Sequence, residues 1–467
     1  MLPLALAYVF NACCDDGGSW RKLGLRRARC TLGELLLMRI LILNQAFYPD
    51  VVSTAQHAAD LAAFMAAGGD QVTVIASARG YDDPARRFAA REVWRGVRVL
   101  RVRGTAFGKA ARWRRALDFA TFMMACVAKI AFLPRQDVVV ALTSPPLISF
   151  IAALLVPWKA RSLVFWCMDL NPDEAVAAGW LKANSFAART LNRMLGYSLR
   201  RARVIVALDR FMAQRIESKG IAAAKIVTLP PWSHDKDVIF DREGREQFRK
   251  QHGLEGKFVV MYSGNHSPCH PLDTLINAAA ELHGDESVHF CFVGGGSQMQ
   301  AIKRSAAARG LTNITFLPYQ ARERLSASLS SADFHAVVMG EAFVGIVHPC
   351  KIYNVLRLGC PVLYVGPSPS HVTEILHGYE SSVPSYACRH GDVGAVVSAV
   401  QRVRGCAKDR LPSPGLSGFS YESVVPALAR VIRGQYTAVT PIINPDLRNA
   451  PVGAHDEREL AATAENR

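Results

Sequence analysis

Lys351 is the residue whose placement most needs a chemical reason. It lies in GIVHPCKIYNVLRLGCPVLYVGP, residues 345–367, which reads as a loop, a helix beginning near Pro349, a stop at Gly359 and a buried strand. A lysine in a first helical turn meets the positive end of the helix dipole. A diphosphate docked on that turn would make the cation favourable; a side chain directed into solvent would make it tolerable. Asp169 ends an apolar strand, where a carboxylate is costly without a role or a partner. It reads either as a cleft carboxylate or as a helix cap or arginine partner. His266 and His270 frame the turn SGNHSPCHP (263–271), from which imidazoles can donate to phosphate oxygens or only order the loop. His266, Cys269 and His270 have neither a fourth ligand nor a neighbouring carboxylate, so no metal site is expected there. Gly294 and Gly295, in the triplet 294–296, permit close backbone approach or a sharp turn.

Such residues need a scaffold that brings their loops together. From Met38, apolar runs and helical patterns alternate. Strands are expected at 38–43, 71–76, 96–103, 137–142, 161–168 and 203–207, with helices at 54–67, 115–132, 147–157, 185–201 and 209–219. Runs such as VVVAL and LVFWCM are apolar throughout, as strands covered on both faces should be. The stretch LPPWSHDKDVIF (229–240) reads as a linker. A second series follows, with strands at 258–263, 288–293, 313–317, 334–339 and 361–366 and helices at 271–283, 297–309, 321–330, 350–358 and 391–404. The expected fold is α/β. Two Rossmann-like domains, 38–228 and 241–435, face each other across a cleft lined by the C-terminal ends of their strands. Loops 44–54, 168–179, 263–271 and 341–351 should reach that cleft, with Ser53 or Thr54 capping the first helix. The last periodic stretch, 421–432, can pack back on the first domain. Residues 1–37 are expected to be a poorly ordered extension, and 436–467 a disordered tail.

Composition bounds the partners. Half of the 467 residues are hydrophobic and a fifth charged, enough for two or three domains with sizeable cores. The eleven cysteines form no CxxC or zinc-like spacing, which fits a reducing compartment. The net charge of +16 is uneven: residues 86–115 hold eleven Lys or Arg and one acid, Glu92. Trp94, Phe107 and Trp113 are interleaved, and an apolar run, 116–132, follows. This pattern resembles an element lying on an anionic membrane surface, or else an ordinary solvated face. It carries no nucleic-acid-binding motif, so nucleic acid is not an expected partner. No run reaches the roughly 18 apolar residues of a spanning helix.

On these segments the chain resembles the glycosyltransferases of family 4, which have the GT-B fold. Within them it is most similar to the colanic-acid and O-antigen transferases. The resemblance covers about 38–435 and rests on RILILNQAFYPD, LTSPPL (142–147), MDLNPDEAVAAGW (168–180), VVMYSGNHSPCHPLDTL (259–275), FVGGGS (292–297) and the Lys351 segment. It implies a retaining, metal-independent hexosyltransferase of bacterial surface-polysaccharide biosynthesis, without a cofactor. A nucleoside-diphosphate sugar would be the donor and a lipid-linked saccharide the acceptor. The enzyme would be cytoplasmic, peripherally attached to the inner face of the plasma membrane. By resemblance Asp169 and Lys351 are catalytic. Gly264, Asn265, His266, His270, Gly294, Gly295, Glu341, Ile352 and Asn354 join Lys351 on the donor side, and Tyr48, Ser53, Thr54 and Asp173 lie on the acceptor-side loops.

The chain departs from the family in places. The second of the family's two glutamates falls at Asn354, the first falls near Ile346, and Glu341 lies earlier than the pattern asks. The family's Arg and Lys of the third loop are His266 and His270, the glycine pair of its first loop is Ser53–Thr54, and a histidine common at the fifth strand is Asp169. A nucleotide-sugar 2-epimerase on the same fold would need several cleft carboxylates and no membrane face. A non-catalytic nucleotide-sugar-binding protein would follow from loss of the glutamate pair.

Overall fold

Apolar strand runs followed by amphipathic helices fold here as they do in open parallel sheets. A computed structural model describes residues 37–436, apart from 82, 84, 108–111, 234–237, 379–382 and 406–415. The expected extension and tail lie outside the described residues, except at Leu37 and Tyr436.

The first domain opens with β1 (Arg39–Leu43), α1 (Ser53–Ala67), β2 (Gln71–Ser77), β3 (Arg91–Trp94), β4 (Val97–Val102) and α2 (Arg112–Ala131). It continues with β5 (Gln136–Ala141), α3 (Ile148–Lys159), β6 (Ala160–Trp166), α4 (Asp173–Ala177), α5 (Phe186–Arg201), β7 (Val204–Ala207), α6 (Arg210–Glu217) and β8 (Ile226–Thr228). The sheet order is β3-β4-β2-β1-β5-β6-β7-β8, parallel except for the β3–β4 hairpin. β3 was not expected, because its REVW lies within the basic stretch and covers an edge.

The second domain begins with α7 (Arg242–Gln251), β9 (Phe258–Asn265), α8 (Asp273–Glu281), β10 (Val288–Gly295), α9 (Met299–Ala308), β11 (Ile314–Leu317) and α10 (Leu325–Ser330). β12 (Phe334–Val338), α11 (Lys351–Arg357), β13 (Val362–Val365), α12 (His371–His377), β14 (Ser385–Cys388) and α13 (Val393–Gly405) complete it, and α14 (Tyr421–Arg433) ends the described chain. Its parallel sheet runs β11-β10-β9-β12-β13-β14. Alternate side chains of β9 enter opposite cores, Val259 and Met261 on one face and Val260 and Tyr262 on the other.

Strand order reverses beside β1 in one sheet and beside β9 in the other. Loops leaving the C-terminal ends of strands at such points border a crevice. The loops after β1, β5, β9 and β12 are therefore the ones the topology delivers to a site.

The chain passes between the domains twice, side by side: the Ser233 N–H donates to the Phe419 carbonyl (2.9 Å). The expected polar linker is partly core. Trp232 is buried against Trp166 at 5.8 Å, and its indole N–H donates to Asp60 (3.0 Å). α14 lies on the first domain: its apolar face joins that core, and Arg433 pairs with Asp70 at 2.8 Å. Arg101 of the basic stretch turns inward, paired with Glu92 and donating to the Tyr48 and Ala89 carbonyls. Outward on the same domain stand Trp113 and Met124 of α2 and Trp158 of α3, all more than half exposed. Among the described residues no helix is long and apolar enough to cross a membrane.

Candidate functional site

Lys351 opens α11, behind Cys350 at the N-cap position. Its Nζ is buried, has no hydrogen-bond partner, and sits 3.7 Å from the centre of the Tyr262 ring. A cation over an aromatic face gains part of what it loses on leaving water. Burial still brings its pKa down to about 7. The ammonium faces the end of β9: a methyl group placed on Gly264 would lie 2.8 Å from Nζ. Gly264 has φ +149°, which favours glycine, and the missing side chain leaves the lysine its room. Gly294 is as constrained: at φ +131° its Cβ would lie 2.0 Å from the Gly264 carbonyl oxygen. Gly295, paired with Asn265 in register, accepts from the His266 N–H (2.8 Å). These glycines hold the ends of β9 and β10 against each other beneath the lysine.

The two histidines differ from expectation in charge. Burial first, and the nearby Lys351 second, lower His266 to about 4 and His270 to about 3. Both are neutral at pH 7 and add no positive charge. His270 Nδ1 bonds the Val338 carbonyl (2.7 Å), whereas the fully buried His266 ring lies by the Gly264 and Gly295 backbone without a well-formed hydrogen bond.

The first domain brings Asp169 to the same boundary. The Leu170 N–H donates to the Ile346 carbonyl (2.9 Å), joining the Asp169 loop to the loop before α11. Asp169 lines a small pocket with Thr143, Ser149 and Asn171. Its pKa rises to about 8, chiefly through burial and then through Glu174, so at pH 7 it is mostly a neutral acid. Ser53 stays on α1, where its hydroxyl lies 3.2 Å from His57 Nδ1.

Several expected site residues stand elsewhere. Ile352 is wholly buried in the second domain's core, so its side chain faces no ligand. Asp173 is held by Lys219 (2.8 Å) and Arg215 (3.4 Å), which commits its carboxylate to fastening α4 to the α6 region. Tyr48 stacks on Trp94 of the edge strand at 4.5 Å. Neither Ser53 nor Thr54 caps α1, whose N-cap position is Val52 without a side-chain bond. Asn265 and Glu341 are exposed, Thr54 and Asn354 half-buried. Sequence reasoning missed Tyr262, hidden in an apolar strand, and Tyr319, half exposed beyond β11 with its hydroxyl donating to the Gly295 carbonyl (3.2 Å). It also missed Glu174, which accepts from the Asn171 amide at 2.8 Å.

A second cluster had no sequence signal, because its members are far apart in the chain. Asp209, His348 and His371 are buried, with their donor atoms within 4.8 Å of one another. In composition this is a possible ion site. The two imidazoles, however, stack at 3.9 Å with 21° between planes, so a shared ion would lie well out of at least one ring plane. His348 Nδ1 is also already spent on Asp209 Oδ2, at 2.8 Å.

Comparison with known proteins agrees with this architecture. The Glycosyl transferase 4-like domain matches residues 54–232 and the Glycosyl transferases group 1 domain matches 244–365, together well over half of the chain. The chain is 33% identical over 159 residues to a protein of Escherichia coli (strain K12) described as a colanic acid biosynthesis glycosyl transferase, WcaI; the match covers 32% of this chain and 38% of that one. It is 24% identical over 242 residues to a Pseudomonas aeruginosa protein described as a glycosyltransferase, WbjE, over 52% of this chain and 60% of that one. The matched part thus spans less than two thirds of either curated relative. Sucrose-phosphate synthase of Thermosynechococcus elongatus has the same fold, with TM-score 0.65 and 15% identity over 85% of this chain and 98% of its own. HepE of Anabaena, solved with UDP-glucose, gives 0.57 and 16% over 92% of this chain and all of its own.

Proposed function

We propose that this chain, which belongs to family 4 of the glycosyltransferases and has their GT-B fold, transfers a sugar from a nucleoside-diphosphate donor to a lipid-linked saccharide in surface-polysaccharide assembly. The observation that carries the reading is the unpartnered Lys351 ammonium at the glycine-lined end of β9. A buried cation without an anion is costly, and a diphosphate supplies the missing charge. As the leaving group departs, Lys351 would stabilise its developing negative charge from a fixed position. His266 would serve as a neutral hydrogen-bond donor, whereas His270, whose one proton is spent on the Val338 carbonyl, would order the loop. Asp169, protonated below about pH 8, would offer a sugar hydroxyl or oxygen a hydrogen bond instead of acting as a base. The reading includes retention of configuration and needs neither metal nor cofactor.

The acceptor assignment rests on the first domain's outer face, where Trp113, Met124 and Trp158 stand exposed near Arg114 and Arg115. Apolar side chains lowered into an interface beside arginines suit a peripheral enzyme on an anionic leaflet. The test is a thermal-shift screen of nucleotide sugars, followed by product analysis with lipid-linked acceptors on anionic vesicles. A stabilising donor and a lipid product one sugar larger are expected. Stabilisation with no product would leave a binding protein, and a changed donor sugar would indicate an epimerase.

A further inference from the structure

We infer that Asp209 and His348 form a latch that fixes the Lys351 turn against the first domain, a positioning role that rests on the donor site proposed above. Asp209 belongs to the first domain: it follows β7 and caps α6, its Oδ1 accepting from the Met212 N–H at 2.8 Å. Its other oxygen, Oδ2, accepts from His348 Nδ1 at 2.8 Å, across the domain boundary. Since the carboxylate can only accept, the His348 proton sits on Nδ1. Nε2 is then the acceptor for the Tyr353 hydroxyl, at 2.6 Å. The chain Tyr353 to His348 to Asp209 is buried throughout.

Both ends of this chain matter. Tyr353 lies on α11, two residues after Lys351, and its ring packs 4.8 Å from Phe419, where the chain crosses between domains. Asp209 sits at the N-terminus of α6, against which the loop before α11 is pressed. Gly345, at φ +69°, comes so close that a Cβ there would lie 2.6 Å from the Phe211 carbonyl oxygen. His371 stacks on His348 from α12, and Arg210, next to Asp209, pairs with Glu374 of the same helix. The latch thus ties the crossing point, the lysine turn and the first domain into one dry network. Breaking it would strand a carboxylate and an imidazole away from water.

The test compares His348→Phe, which keeps a ring but no hydrogen bond, with His348→Gln, whose amide can still donate to Asp209. Two quantities are read on the full chain: UDP affinity by calorimetry and the radius of gyration of nucleotide-free protein by X-ray scattering. The Phe variant should bind UDP at least tenfold more weakly and be measurably more extended, and the Gln variant should recover both most of the way. A folded Phe variant with unchanged radius and affinity would overturn the latch. If that variant does not fold, Asp209→Ser, which can still cap α6 but is too short to reach His348, carries the test, with the same outcomes. If wild-type protein binds neither UDP nor GDP, ADP or dTDP, the donor reading fails, and the radius alone still decides the latch; if it binds one of the others, that nucleotide replaces UDP in the comparison.

Discussion

Two buried charges flank the segment that leads into α11, Asp209 against His348 and Lys351 in the first turn, and are treated in opposite ways. Lys351 has no hydrogen-bond partner, only an aromatic face, and its pKa falls to about 7. Asp209, which grips His348 three residues earlier, is satisfied by an imidazole and a backbone amide. Although burial alone would raise its pKa, those bonds and the neighbouring histidines hold it near 2. A buried charge with complete partners is architecture, because the native structure already uses all it offers. A buried charge without them costs stability in the empty protein and is repaid only when a ligand arrives. On the proposed reading, the contrast separates the residue that would hold the donor site from the residue that would use it.

The largest effect should come from removing the satisfied charge. Asp209→Ala strands the His348 and Met212 N–H groups, at about 1–3 kcal/mol for each buried donor left unpaired. Its melting temperature should fall sharply. Lys351→Met should do the reverse, melting higher than wild type while diphosphate affinity drops at least tenfold, since a charge-assisted bond is worth roughly 1.5–3 kcal/mol. Paired melts and calorimetry check both. An Asp209→Ala protein as stable as wild type, or a less stable Lys351→Met protein, would erase the distinction.

The pH response sharpens it. In the unfolded chain Lys351 titrates near 10.5 and in the folded protein near 7, so between these values the unfolded state holds more protons. Stability conferred on the folded state must then rise with pH across that window. Asp169 opposes it lower down: folded near 8 against an ordinary 3.8, it makes stability fall as pH rises from 4 to 8. Between pH 8 and 10 the lysine slope should therefore stand alone of the two, up to about 1.4 kcal/mol per pH unit. Denaturant melts at pH 8.5 and 9.5 should show wild type gaining on Lys351→Met. Parallel behaviour of the two proteins would mean that the ammonium is solvated.

The sequence reached the scaffold more readily than the site. Apolar strands such as VVVAL announced a sheet covered on both faces, and Pro349 and Gly359 bracketed α11 closely. Lys351 stood out because its charge opposed its place in the helix. What stayed hidden needed three dimensions. Nothing local says that Ile352 points inward, that Asp173 is claimed by Lys219 from the turn after α6, or that burial strips His266 and His270 of charge. Asp209, His348 and His371 come from segments 139 and 23 residues apart, and only the closing of the two domains makes them neighbours.

The smallest expected effect concerns metal. Asp209, His348 and His371 have the composition of an ion site, so the contrast would collapse if an ion sat there and served as the counter-charge for a diphosphate. The stacked rings argue against a shared ion, because an imidazole binds metal along its nitrogen lone pair, in the ring plane. His348 is moreover engaged at both nitrogens, by Asp209 and Tyr353. Lys351 already provides a cation where the phosphates are proposed to lie. Dialysis against EDTA should therefore leave the transfer rate within experimental error of untreated protein, and elemental analysis of the purified chain should find far less than one zinc, manganese or magnesium per molecule. A stoichiometric metal, or activity lost on chelation and restored by a divalent ion, would reassign the histidine cluster from architecture to chemistry and leave Lys351 in a supporting part.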